Sequence, residues 1–304
     1  MAIDKGNDAL AEAERHWVEG DPQRAAEAAR RARLHYHDAR DPDGEASALI
    51  LLGDMELDAD RLSDARQAYV EARQLLAPSG EQAHQAAVLM RLGLLHRLEE
   101  TPREAVECFQ SAIELFSAAG DLSGEALANM QIGHVARGLE QRDDDAVMHY
   151  THARALYSKA GDTLGEAHAM KALGHLQTLL GHADKAHEML EGAIERFAEN
   201  GDSLDEAEAT GGLGLLLRSL GDEDAAFDAF RRASKLYAGA GHLEGEAEML
   251  MEIGEIEAGR NPKHARKTFQ HAAELFQRAG QQDLHEAAVR AADTVARAET
   301  EGLG

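Results

Sequence analysis

Between residues 161 and 201 the apolar positions recur three and four apart. Ala167, Met170, Leu173 and Leu176 form one stripe and Ala186, Leu190, Ala193 and Phe197 a second, with Gly181 between them. This pattern predicts a helix from about Gly165 to Leu180, a turn at Gly181-His182, and a second helix to about Glu199 folded back on the first. Asn200-Gly201 ends that second helix, because both residues tolerate left-handed backbone. Nearly the same words open at Gly120, Gly161, Gly201 and Gly241, which lie 41, 40 and 40 residues apart. The chain therefore reads as an array of one two-helix module.

Each copy carries the same punctuation. Glu45, Glu125, Glu166, Glu206, Glu246 and Glu286 fall where a first helix begins, so that a carboxylate faces the positive end of the helix dipole. Gly53, Gly93, Gly133, Gly174, Gly214 and Gly254 fall in mid-helix. Glycine there costs up to about 1 kcal/mol relative to alanine, which implies a close approach between helices. The alanine pairs Ala65/Ala72, Ala105/Ala112, Ala146/Ala153, Ala186/Ala193, Ala226/Ala233 and Ala265/Ala272 keep a seven-residue spacing on the second helix and let a neighbour nest against it.

A Leu-Gly on the first helix, a Gly-containing turn and two alanines on the second stand together in "ALGHLQTLLGHADKAHEMLEGA", residues 172–193. This resembles the tetratricopeptide repeat family, with further copies marked by Leu52-Gly53, Leu92-Gly93, Ile132-Gly133, Leu213-Gly214 and Ile253-Gly254. The match runs from about Asp4 to Gly280. The period of about 40 resembles the long-helix variety of the Pins and LGN polarity adaptors and of bacterial tetratricopeptide adaptors. The family's Trp and Tyr positions and its closing Pro are mostly missing. One extra residue precedes Ala146 and one is missing before Ala265, so the turns of the fourth and seventh copies are expected to be reshaped.

The resemblance implies an all-α, right-handed α-solenoid of seven antiparallel helix pairs and a polar C-terminal cap. It is expected to form a single domain over 1–304, with repeats at 4–40, 41–80, 81–120, 121–161, 162–201, 202–241 and 242–280 and the cap at 281–304. The first copy, around Gly20-Asp21-Pro22, lacks the Leu-Gly and reads as degenerate.

Charge narrows the range of partners. The 56 acidic side chains outweigh 31 basic ones, a net charge of −25, which repels phosphate backbones and anionic lipid. The cluster Arg24, Arg30, Arg31 and Arg33 reads as a solvated helix face. No run of about 20 apolar residues occurs, and the first residues lack an apolar leader, so a cytoplasmic protein without membrane insertion is expected. The single cysteine, Cys108, leaves no internal disulfide to form.

The same resemblance implies that partners dock on a concave face lined by the first helices. Positions three before, one after and four after the mid-helix glycine share one side of that helix. They nominate Met90, Leu94, Arg97, Met130, His134, Arg137, Lys171, His175 and Arg218, a strip of thioethers and leucine carrying four cations within an acidic chain. Such a strip suits a peptide or protein segment with apolar anchors and acidic residues. Only Lys171 fits the Lys and Asn pattern of the carboxylate clamp known in some relatives.

His134, His168 and His175, and separately His149 and His152, fall short of the three or four converging ligands that zinc requires, and no metal or cofactor is expected. No hydrolase, metalloprotease or phosphate-loop motif occurs, and "TGGLG" at Thr210 lies within a helical pattern, so no enzyme is expected. The expectation is a non-enzymatic interaction scaffold or adaptor. The alternatives are a ligand- or peptide-sensing regulator and a chaperone-like assembly factor, with self-association left open.

Overall fold

The computed structural model describes residues 2–77, 82–139 and 141–300. Among the described residues the regular elements are fifteen α-helices, seven consecutive pairs followed by a single helix. The junction expected at 80/81 and the end of the cap at 301–304 lie outside the described residues.

The helices gather into two compact units, Met1–Ala160 and Gly161–Gly304. The first holds α1 (Ala2–Val18), α2 (Pro22–Ala39), α3 (Pro42–Asp58), α4 (Leu62–Leu76), α5 (Gln82–Leu98), α6 (Pro102–Ala119), α7 (Leu122–Arg137) and α8 (Asp143–Ala160). The second holds α9 (Thr163–Leu179), α10 (Ala183–Asn200), α11 (Ser203–Ser219), α12 (Glu223–Ala240), α13 (Leu243–Arg260), α14 (Pro262–Arg278) and α15 (Gln282–Thr300). Within each unit every odd-numbered helix packs against the even-numbered one that follows it.

Helix starts are fixed by aspartate more than by the glutamates. Asp41, Asp121, Asp162 and Asp202 each accept a hydrogen bond on the side chain from the backbone N–H three residues on, satisfying one of the donors a helix N-terminus leaves open. Glu45, Glu125, Glu166, Glu206 and Glu246 do lie in the first turn, as expected. Glu286 does not, because α15 begins a turn earlier, at Gln282, with Asp283 in its first turn. Several of these glutamates also reach a cation on a second helix, Glu166 to Arg196 at 3.4 Å and Glu206 to Arg232 at 2.6 Å.

Gly201 ends α10 with φ of 75°, the left-handed conformation that its sequence position predicts. Both irregular turns are reshaped. The chain takes five residues between Arg137 and Asp143, where Gln141 adopts φ of 61°. Between α13 and α14 a single residue, Asn261, closes one helix and caps the next, its side chain accepting from the His264 N–H at 3.3 Å.

The mid-helix glycines are explained by rings on the partner helix. Tyr69, Phe109, Tyr150, Phe230 and Phe269 lie over Gly53, Gly93, Gly133, Gly214 and Gly254, and Leu190 takes that place over Gly174. A Cβ added at Gly93 would stand 2.5 Å from a Phe109 ring atom, well inside contact distance. Each of these covering side chains stands between the two alanines of its helix, and all are buried. Seven residues further on, Phe116 and Tyr237 cover Gly124 and Gly245 at the start of the following helix, so one second helix locks the first helices on either side. The "TGGLG" run has a packing cause as well. Gly211 faces Met249 of α13, Gly212 faces His175 of α9 and Gly214 faces Phe230 of α12, so three neighbours meet α11 where side chains are missing.

Candidate partner-binding face

At two mid-helix glycines the residue that follows bonds the ring above. Where the ring carries a hydroxyl the position is polar: Tyr69 donates to Asp54 Oδ1 at 2.6 Å, and the Tyr150 hydroxyl bonds His134 Nδ1 at 2.8 Å. Where the ring is phenylalanine the position varies: Leu94 and Leu215 follow Gly93 and Gly214, and Glu255 follows Gly254 beneath Phe269. Asp54 also receives Arg91 in a bidentate pair, Nε to Oδ1 at 2.7 Å and Nη2 to Oδ2 at 2.9 Å. Burial raises the Tyr69 pKa well above the usual phenol range, reinforced by the Asp54 carboxylate. Burial opposes the charge on Arg91, and Asp54 more than restores it. This Asp54–Tyr69–Arg91 network was not nominated from the sequence; it joins three different helices, with Tyr69 15 and Arg91 37 residues from Asp54.

The nine nominated residues divide between the two units. In the first, Met90 and Met130 are buried, each about 6% exposed. Met90 shares a core with Ile132 and Val135 of α7, so it seals the seam between successive first helices and presents little surface. Leu94 and His134 are half-buried, and Arg97 and Arg137 are exposed. His134 meets the Tyr150 ring edge-on at 5.3 Å between centroids. Burial pushes the Tyr150 pKa up to about 12, while Arg137 and Arg97, both near the hydroxyl, pull the other way. The hydroxyl thus keeps its proton at neutral pH and joins His134, Arg97 and Arg137 into one polar cluster.

Beside this cluster lies a cleft of about 460 Å³ lined by Arg97, Glu100, Pro102, His134, Val135 and Leu139. Among the described residues no carboxylate forms an ion pair with Arg97 or Arg137.

The second unit treats its cations differently. Lys171 Nζ bonds Asp205 and, at 2.6 Å, Glu208, and lies 5.6 Å from the Phe197 ring centroid. Burial alone would lower the Lys171 pKa, but the two carboxylates outweigh it and hold it above the ordinary value. Arg218 bonds Glu252 and, at 3.0 Å, Glu255, and lies over Phe230. His175 packs on Gly212, where an added Cβ would fall 2.3 Å from its ring. The sign reversal that the sequence suggests is therefore cancelled locally at Lys171 and Arg218, and stays open at Arg97 and Arg137.

The histidines have separate occupations. His149 Nδ1 lies 3.0 Å from Asn129 Oδ1, with burial lowering its pKa, and His152 lies 3.7 Å from Glu125. Among the described residues no group of three or more His, Cys, Asp or Glu is arranged to hold a metal ion. Burial raises the Cys108 pKa, and no helix among the described residues is long and apolar enough to cross a membrane.

Paired antiparallel helices, glycines beneath rings and alanines flanking them define a helical-repeat protein. The tetratricopeptide repeat model matches residues 207–239, and the soluble NSF attachment protein model matches residues 96–203. The chain is a tetratricopeptide-type helical repeat protein. No curated relative matches its sequence.

Among solved structures the fold is similar to aspartyl phosphate phosphatase F from Bacillus subtilis, with TM-score 0.69 and 14% identity over 92% of this chain and 70% of that one. It is also similar to BtubC from P. vanneervenii, with TM-score 0.63 and 20% identity over 75% of this chain and 92% of that one. A Rap protein complexed with Competence and Sporulation Factor has TM-score 0.58 and 13% identity over 99% and 98% of the two chains.

Proposed function

We propose that this protein is a non-enzymatic interaction scaffold whose first-helix face, at α5 and α7, receives a segment of a partner protein. The observation that carries the reading is the cluster of exposed Arg97 and Arg137 around the His134–Tyr150 pair, beside an apolar-walled cleft, in a chain of net charge −25. Exposed guanidiniums that no carboxylate among the described residues pairs are poised for charge-assisted bonds to a partner, and Val135, Leu139 and Pro102 offer apolar contact beside them. Leu94 and His134, both half-buried, belong to the same helices, in which Met90 and Met130 are buried. On this reading Lys171, His175 and Arg218 of the second unit serve packing and charge balance first. That a Rap protein of the same fold is complexed with Competence and Sporulation Factor supports partner binding as a use to which such an array is put.

The test is photo-crosslinking from single positions. A crosslinking residue at Leu98, 53% exposed at the end of α5, should capture one dominant partner, whereas the same residue at Val70, 38% exposed on α4, should not. Equal capture from both positions, or none from Leu98, would remove the first-helix face from consideration.

A further inference from the structure

The chain contains its own statement of what such cations bind. Lys171 meets Asp205 and Glu208, and Arg218 meets Glu252 and Glu255, so in both cases the cation is answered by two carboxylates three residues apart on one helical face. Arg97 stands in the same register as Arg218, four residues after Gly93 as Arg218 stands four after Gly214. The positions on the following first helix that supply Glu252 and Glu255 to Arg218 are occupied by Gln131 and His134 in α7. Neither is an anion, and His134 is engaged with Tyr150. The first unit thus keeps the cation and omits the acidic pair, while Arg137 adds a second exposed guanidinium at the same cluster.

Resting on the scaffold reading above, we infer that Arg97 and Arg137 form a carboxylate-pair subsite for a helical partner segment carrying two acidic side chains three residues apart, beside an apolar residue. The segment supplies from outside the Glu-x-x-Glu face that α13 supplies to Arg218, and its apolar residue lies against Pro102, Val135 and Leu139. Charge complementarity selects the occupant. At −25 overall the protein repels acidic chains at long range, so capture of one depends on close, partly desolvated contact at these two guanidiniums and is specific to them.

The probe is a fluorescein-labelled, end-blocked, helix-forming peptide with one Glu-x-x-Glu pair and a neighbouring leucine, followed by anisotropy at physiological salt. It should bind the full chain saturably and with one-to-one stoichiometry. Arg97→Ala or Arg137→Ala should weaken binding at least about tenfold, as expected for loss of a charge-assisted bond. Freeing Arg218 by Glu252→Gln with Glu255→Gln should add a second site in a protein whose first unit is untouched.

Equal binding of the matched Gln-x-x-Gln peptide, or unchanged affinity in both arginine variants, would overturn the inference. So would binding that depends on a free C-terminal carboxylate in place of the side-chain pair. A partner that crosslinks at Leu98 yet binds Arg97→Ala and Arg137→Ala normally would overturn this subsite and leave the scaffold reading standing. Absence of any partner at Leu98 would strike the scaffold reading itself.

Discussion

Two glycines of one helix pair should respond in opposite directions to the same added methyl. Gly214 in α11 lies under Phe230, so an alanine Cβ would fall 2.6 Å and 2.7 Å from two ring atoms; Gly239 in α12 has nothing within 4 Å. Both lie within helices, where alanine is favoured over glycine by up to about 1 kcal/mol. Gly239→Ala should therefore stabilise by a few tenths to about 1 kcal/mol.

At Gly214 the same gain is set against overpacking in a buried contact, typically about 1–3 kcal/mol and towards the upper end where a rigid ring must move. The net loss is about 1–2 kcal/mol, leaving the two variants about 1–3 kcal/mol apart. Urea unfolding followed by helical circular dichroism, with hydrogen exchange on α11 and α12 to localise the effect, measures both. Because two units invite separate transitions, the exchange data decide which unit has moved. In Gly214→Ala with Phe230→Ala the added methyl refills part of the vacated space, so the double variant should lose less than the sum of the single losses. Gly214→Ala as stable as Gly239→Ala, or additive losses in the double variant, would refute the ring-over-glycine account.

Three further outcomes follow from named contacts. Asp54→Ala strips both the Tyr69 hydroxyl and the Arg91 guanidinium of their acceptor and should cost about 1–3 kcal/mol in urea unfolding, whereas Tyr69→Phe should cost about 1 kcal/mol. Because the folded-state pKa of Lys171 is raised, its ion pairs add stability that is complete below the ordinary lysine pKa of 10.5 and lost as pH rises through the folded value. Wild type should thus lose more stability than Lys171→Met as pH rises from 10.5 through that value, and parallel curves would contradict the assignment. Asn261→Ala removes the side-chain cap from the one-residue joint between α13 and α14 and should cost about 1 kcal/mol, seen as faster amide exchange in the first turn of α14.

The helix pairs were legible in the sequence because their signals are local. A 3.6-residue apolar period, a left-handed glycine after five of the second helices and alanines seven apart all lie within one 40-residue module. Even the irregular joints at Gln141 and Asn261 followed from counting residues. Less legible was anything decided between modules. The mid-helix glycines announced a close approach, but not that Tyr69 or Phe109 would make it, because the ring and its glycine sit on different helices.

Met90 and Met130 share a helical face with Arg97 and Arg137 and so looked like groove residues. Both are buried, and Met90 packs in one core with Ile132 and Val135 of α7, the next first helix, which narrows the open stripe. The neutralisation of Lys171 by Asp205 and of Arg218 by Glu252 spans 34 residues in each case, a separation that no local pattern reveals. What survives of the nominated strip as exposed charge without a carboxylate partner among the described residues is Arg97 with Arg137.

The affinity of the partner crosslinked at Leu98 tests that surface most directly, measured by titration calorimetry against wild type, Arg97→Glu with Arg137→Glu, and Arg231→Glu. Arg231 is a comparably exposed cation, paired with Asp228, on a second helix of the other unit. Charge reversal at Arg97 and Arg137 should weaken binding at least about tenfold with the helical spectrum unchanged, and reversal at Arg231 should leave it within about twofold. Equal affinity in all three proteins would contradict the claim that the first-helix face of α5 and α7 is the working surface.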